Sequence, residues 1–376
     1  MDFNLYFKSR QGEMVHLLKQ LVQRESPSLD KKAVDACAAF VISEFRKIGV
    51  RVSRFPQKGI GDLYTVEYPA SVRLGPEKPF LILTHIDTVW PVGKMATMPF
   101  YISGDRVYGP GVLDMKAGLV MTIFALKAFH QLSLHPRRKI LVFINTAEEI
   151  GNEAAHEMIA QLARKSSYVL CLEPALPGGA LKTRRKGRLV LKLETKGKAA
   201  HAGTPEKGVN AIEEIITQVQ RLKKLARAGV TMSLNQIGGG EKPNIVAENA
   251  WAVLDVRFWN NVQKDRIMRA LRQSKSLIPG ARFKHTVDSF TPPMERTKPS
   301  VALLQNVKKI AGAIGIRLEE GKTGGGSDAS IASNLGLPTL DGLGPDGDGI
   351  HAPHEHLLLP SLIQRTALLT EILRQL

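Results

Sequence analysis

The chain has 376 residues, of which 43% are hydrophobic and 23% charged. That composition suits an ordinary globular protein and excludes collagen-like, fibrous and disordered classes, while the length exceeds what one core usually carries and points to two domains. The formal net charge of +17 admits nucleic acid, an anionic surface or anionic substrates as partners.

The first twelve residues carry no apolar core followed by a small-residue cleavage site, so no secretory signal is read and a cytoplasmic setting is expected. The longest apolar runs, near 80–83 and 140–144, are far too short to span a bilayer. Two isolated cysteines, Cys37 and Cys171, make neither a disulfide framework nor a C-x-x-C metal knuckle.

In chain order, apolar residues at Met14, Val15, Leu18, Leu21 and Val22 predict a helix over 12–24, stopped by Ser26-Pro27-Ser28. A second amphipathic helix is predicted over 33–48, with Gly49 as its C-cap. Buried strands follow at 80–84, 139–145 and 168–172, alternating with helices at 116–129 and 153–163. That alternation predicts an α/β domain with a mostly parallel sheet flanked by helices. Near residue 183 the pattern changes to period two. Strands at 189–195, 230–237, 249–258 and 281–287, with helices at 209–227 and 261–274, give the order of a small α+β sandwich. Thr291-Pro292-Pro293 ends it. A helix at 299–314, an apolar stretch at 335–340 and a helix at 360–375 resume the α/β pattern. The expected organisation is a domain of residues 1–182 and 295–376 with residues 183–294 inserted.

Five acidic or histidine clusters are candidates for chemistry, and in open α/β sheets the working residues gather at the carboxyl ends of strands. In T-H-I-D-T-V, His85 and Asp87 are two apart at a strand end, and a metal-bound imidazole usually gives its other N–H to a carboxylate. Alone the pair reads first as a turn or a core histidine. Asp114, after Gly109-Pro110-Gly111, is either a helix N-cap or a carboxylate with one oxygen for each of two metals. Glu148 and Glu149 adjoin after a strand, and neighbouring buried carboxylates repel unless a cation lies between them. Glu173 closes another apolar strand. The run 351–356 offers His351, His354 and His356 without saying which binds. Ligands drawn from His, Asp and Glu, without Cys, suit an open catalytic site.

Taken together, the stretches H-I-D-T-V, G-P-G-V-L-D-M-K-A-G, E-E-I-G, L-E-P, G-K-A-A-H-A-G-T-P-E-K-G-V-N-A-I, K-P-N-I-V-A, D-V-R, T-G-G-G-S-D-A and H-A-P-H-E resemble a known family over nearly the whole chain. It is the co-catalytic zinc peptidase family of bacterial glutamate carboxypeptidase, aminoacylase, acetylornithine deacetylase and succinyl-diaminopimelate desuccinylase. The glutamate carboxypeptidase branch is the most similar. The resemblance implies a zinc-exopeptidase-like fold whose inserted sandwich is a lid and dimerisation domain. It implies two divalent metals per chain, zinc first and cobalt or manganese as alternatives. Asp114 would bridge them, His85 and Glu173 completing one site and Glu149 and His351 the other. The four-residue step from His351 to Glu355 selects His351 among the three histidines.

By the same resemblance Asp87 supports His85, Glu148 is the general base, and the Asp114–Met115 peptide is cis. His201 stabilises an oxyanion, Asn244 and Arg257 recognise a carboxylate, and Gly325, Gly326 and Ser327 line the substrate. Arg257 is also explained by a strand salt bridge to Asp255.

The implied reaction is hydrolysis of an amide bond that releases a C-terminal amino acid, with glutamate or another acidic residue first. The alternative is an aminoacylase or deacetylase acting on neutral or basic products. Most of the charge excess lies between residues 182 and 284, which suits attraction of anionic substrates or a solvated surface. A nucleic-acid-binding protein is a remote alternative, since no basic stretch is interleaved with aromatics.

Overall fold

The computed structural model describes residues 1–70 and 77–376. They form two compact units: Met1–Thr183, Arg296–Lys322 and Ser327–Leu376 in the first, Arg184–Glu295 and Thr323–Gly326 in the second.

The first unit is built on a six-stranded sheet. Its strands are β1 (Arg51–Phe55), β2 (Leu63–Tyr68), β3 (Phe80–His85), β4 (Ile140–Asn145), β5 (Tyr168–Cys171) and the short Thr339–Leu340, in the spatial order β1-β2-β4-β3-β5 and then Thr339–Leu340. The four strands from β4 to Thr339–Leu340 are parallel, whereas β1 and β2 run antiparallel at one edge. Every residue of β3 and of β4 is buried, which is why both read as continuous apolar runs rather than as alternation. The edge strand β1 escapes a periodicity reading because it is half-exposed and carries polar residues such as Arg51, Ser53 and Arg54.

Helix Ala117–Gln131 is apolar on nearly all sides and is buried accordingly. It packs with Gln11–Val22, Lys31–Arg46 and Leu359–Gln375 in one core. Lys116 precedes it as a buried cation. Its Nζ donates to the carbonyls of Leu21 (3.0 Å) and Arg24 (2.9 Å), capping the end of helix Gln11–Val22, whose last carbonyls lack helical partners. A further helix, Phe3–Lys8, inserts Phe3 and Phe7 into this core. Among the described residues no helix is long and apolar enough to cross a membrane.

The second unit has a four-stranded antiparallel sheet of β6 (Gly187–Lys196), β7 (Thr231–Gly239), β8 (Asn249–Phe258) and β9 (Arg282–Thr291), ordered β7-β8-β6-β9. Helices Ala211–Lys223 and Asn261–Arg272 interleave in the expected β-α-β-β-α-β order. Leu189, Leu191 and Leu193 alternate inward with Ala250, Ala252, Leu254 and Val256, and pack on Ile215, Val219, Leu222, Ile267 and Leu271 of the helices. Strand β9 runs four residues further than its apolar pattern, through a bulge between Val287 and Ser289.

Candidate metal centre

The carboxyl ends of β3, β4 and β5 bring His85, the Glu148–Glu149 turn and Glu173 together in the first unit. The loop before helix Ala117–Gln131 delivers Asp114. Gly111 makes that approach feasible: it adopts φ +69, and a Cβ there would meet Thr88 Cγ2 at 2.5 Å. Gly118 allows the helix to touch the end of β5, since its Cβ would stand 2.7 Å from the Leu172 carbonyl oxygen. The Asp114–Met115 peptide is cis.

Asp114 faces two histidines with its two oxygens. Oδ1 is 3.2 Å from His85 Nε2, and Oδ2 is 3.5 Å from His351 Nε2. His85 Nε2 also lies 3.4 Å from Glu173 Oε1, and His351 Nε2 lies 3.2 Å from Glu149 Oε1. Donor atoms of His85, Asp114 and Glu149 all fall within 4.8 Å of one another, as do those of His85, Glu148 and Glu173. Glu148 therefore borders the donor cluster as closely as the five residues expected to be ligands, and distance alone does not separate base from ligand. His351 is 47% exposed at its side chain and adopts φ 60, so it reaches the cluster from a loop.

A ring of hydrogen bonds holds these side chains. His85 Nδ1 is 3.0 Å from the Asp87 carbonyl oxygen and 3.4 Å from Asp87 Oδ1. The Asp87 carboxylate also accepts from the backbone N–H groups of Glu148 (3.1 Å) and Glu149 (3.2 Å) and from Ser28 Oγ (2.6 Å). It thus orients both the imidazole and the acidic turn. Glu355 accepts from the N–H groups of Gly111, Leu113 and Asp114 and from the Trp90 indole, at 3.0 to 3.2 Å.

The field at the centre favours positive charge. Burial opposes a charged His85, yet the carboxylates of Asp114, Asp87 and Glu173 outweigh it and hold the imidazole's proton well above its ordinary range. His351 is pushed up to about 10 by Asp114 and Glu149. Burial and the neighbouring Glu173 carboxylate push Glu148 well above the usual carboxylate range. A buried set of carboxylates and imidazoles with this bias fits divalent cations, and the arrangement can hold two.

In the second unit, segments 200–202 and 244–246 pair: Ala202 N donates to the Asn244 carbonyl (3.0 Å) and Val246 N to that of Ala200 (2.9 Å). His201 and Asn244 are therefore neighbours. Gly203 N donates to His201 Nδ1 (3.0 Å), which leaves Nε2 to carry the proton of the neutral ring and makes it a donor. An open cavity of about 570 Å³, lined by Ala202, Asn210, Lys242 and Ile245 among others, flanks this pair. Arg257 Nε binds Asp255 Oδ1 at 2.9 Å, so the strand salt bridge is present, and Nη1 donates to the Gly324 carbonyl (2.8 Å). The carbonyls of Gly325 and Gly326 accept from Arg185. Ser327 belongs to the first unit. It is buried, and its Oγ accepts from Ala329 N at 3.1 Å. That contact ties Ser327 to the start of helix Ala329–Asn334.

The description "Peptidase family M20/M25/M40" matches residues 81–375. The chain belongs to this family. It is similar to carboxypeptidase G2 of a Pseudomonas species, at 29% identity over 96% of this chain and 89% of that one. Its fold is similar to a tripeptidase of Staphylococcus aureus (20% identity, TM-score 0.78, 97% and 98% of the two chains). It is also similar to a dinuclear-metal-binding M20 peptidase of Bacillus subtilis (14% identity, TM-score 0.70, 97% and 98%). This M20 chain is accordingly a metal-dependent hydrolase with an α/β unit and a second, α+β unit.

For an M20 chain, reading motifs one at a time misses the partners that hold them. Glu355 marked the spacing of the histidine, but its grip on residues 111–114 was not legible. Ser28, Asn145 and Asp328 lie in segments read only for turns, strands or glycines. Period-two spacing after β3 flagged Asp87 before the resemblance did.

Proposed function

We propose that this chain is a dinuclear metal hydrolase, with zinc as its first-choice metal, that releases a C-terminal acidic amino acid from an N-acyl or peptidyl substrate. The observation that carries this reading is the division of Asp114, one oxygen toward His85 and Glu173, the other toward His351 and Glu149. Two ions held by these five residues would lower the pKa of a shared water and polarise the scissile carbonyl.

The chain's own residues supply the rest. Glu148, buried beside Glu173, takes the proton of the attacking water and passes it to the leaving amine. His201, with Nε2–H as donor, stabilises the developing oxyanion, and the Gly203 N–H fixes that tautomer. Asn244 and the Arg257 guanidinium hold the α-carboxylate of the released amino acid, for which a planar fork is suited. Asp255 and the Gly324 carbonyl orient that fork.

The basic second unit supports an anionic substrate, because a concentration of like charge raises encounter rates with the opposite sign. It also serves as the contact for a homodimer: β7 and β9 end its sheet on either side and expose unpaired backbone groups. The two buried free cysteines agree with a reducing, cytoplasmic setting.

The test measures metal content by mass spectrometry and hydrolysis of acyl-Glu and acyl-Asp against acyl-Met, acetyl-Arg and dipeptides, for wild type and Glu148→Ala. Two metals in both proteins, acidic preference in the wild type and loss of activity in the variant are expected. Preference for acyl-Met or acetyl-Arg would move the reading to an aminoacylase or deacetylase. An active Glu148→Ala would remove Glu148 from its role.

A further inference from the structure

Asp328 and Asn145 are 183 residues apart in sequence and meet beneath the centre. Asn145 is the last residue of β4 and is fully buried. Its Nδ2 donates to Asp328 Oδ2 at 2.7 Å, and its Oδ1 accepts from Ala147 N at 3.0 Å. Its backbone carbonyl accepts from Ile86 N at 3.0 Å, next to His85. Ala147 N is the amide immediately before the two glutamates.

The orientation of the Asn145 amide decides whether this turn is held. An asparagine side chain has one accepting and one donating end, and the two ends have the same shape. A backbone N–H only donates. Ala147 N–H therefore fixes the Oδ1 end of Asn145, and the NH2 end faces Asp328, whose Oδ2 accepts from it. The Asx-type turn that results leads the chain out of β4 and aims Glu148 and Glu149. Asp87 fastens the next two amides, so the acidic turn has three consecutive N–H groups held by side chains.

We propose that Asp328 is a positioning residue: through Asn145 it sets the turn that places Glu148 and Glu149 at the centre. The inference rests on the reading of that centre as a metal site, but it concerns a residue outside the five ligands and the base. It predicts that the hydrogen-bond direction matters more than the location of the negative charge. Exchanging the pair separates the two. In Asn145→Asp alone, residue 145 can still accept from Ala147 N–H, but two acidic side chains face each other and the amide donor to Asp328 is lost. In the double variant Asn145→Asp/Asp328→Asn, the residue at 145 still accepts from Ala147 N–H and the residue at 328 becomes the donor, so the network is restored in reverse.

The experiment measures Zn2+ affinity and stoichiometry by equilibrium dialysis, with kcat and KM on the acyl-amino acid that the wild type prefers. Asp328→Ala and Asn145→Asp are each expected to weaken binding of a second ion and lower kcat about 10- to 100-fold, with KM within about 2-fold, the range for losing a group that orients a ligand. The double variant is expected to recover both readouts to within about 5-fold of wild type, against that same range. Should Asp328→Ala fail to fold, Asn145→Asp and the double exchange carry the test. Wild-type Zn2+ binding in Asp328→Ala, or a double variant no better than Asn145→Asp, overturns the proposal. A wild type that binds two Zn2+ but cleaves none of the amides defeats the proposed function instead, and the dialysis still judges the positioning role.

Discussion

Glu355 binds the backbone N–H of Asp114 at 3.2 Å across 241 residues of chain. With Gly111, Leu113 and Trp90 as further donors, its carboxylate draws the Asp114 loop and the His351 loop into one piece. Burial raises its pKa, and only these donors make a charged group tolerable there. Glu355→Ala is expected to reduce metal affinity about 10- to 100-fold, because the groups that orient a ligand matter nearly as much as the ligand. A competition titration with a chelator measures this. Unchanged affinity would show that the loop holds Asp114 without Glu355.

Removing the metals is expected to lower the thermal midpoint. The centre gathers buried carboxylates that repel one another, and an ion bound only to the folded state stabilises it by mass action. Scanning calorimetry with and without excess Zn2+ after chelation gives the shift. The same midpoint in both conditions would argue against a metal site here.

Lys116 offers a test of the scaffold. Burial lowers its pKa, yet its Nζ satisfies two carbonyls at the end of helix Gln11–Val22. Lys116→Met keeps the length, removes the charge and takes the Nζ donor from the Arg24 carbonyl, while the Leu21 carbonyl keeps the Arg24 N–H. The expected loss is about 1–3 kcal/mol, the usual range for leaving buried acceptors unpaired. Urea denaturation reads it directly, and a variant at least as stable as wild type would contradict the capping role.

Arg257→Lys keeps the charge and loses the fork. A fall of about 10- to 100-fold in kcat/KM, most of it in KM, is expected for substrates with a free α-carboxylate, since a bidentate pair cannot be rebuilt by an ammonium. A substrate lacking that carboxylate should lose little. Equal losses on both would indicate that Arg257 acts through Asp255 and the sheet.

Stability should fall in acid through Asp62. Its carboxyl is lowered to about 2: burial opposes the charge, but Lys31 Nζ, the Gln57 N–H and Arg54 prevail. A depressed folded-state value means this contribution is complete above the unfolded value, about 3.9, and is lost as pH falls toward 2. Asp62→Asn should be less stable at neutral pH and lose less stability than wild type between about pH 4 and 2. Parallel pH curves for the two proteins would refute the assignment.

Much of the centre is legible because buried strands announce themselves. The runs before His85, Asn145 and Glu173 are continuously apolar since both faces of a parallel sheet are covered, and the polar residue that ends each run has to meet something. The edge strand β1 was not legible, because a half-exposed strand carries mixed residues. Asn145 and Asp328 escaped for another reason. Each is an ordinary turn residue by itself, and only their contact gives either a task.

The sequence by itself determined the donor types, their order after successive strands and the change from continuous to alternating burial at the second unit, because these follow from local periodicity. Only the tertiary structure decided which oxygen of Asp114 faces which histidine, what Glu355 grips and which way the Asn145 amide points. Those are contacts between residues 29 to 265 positions apart. Their geometry is set by packing of distant segments, which no local pattern encodes.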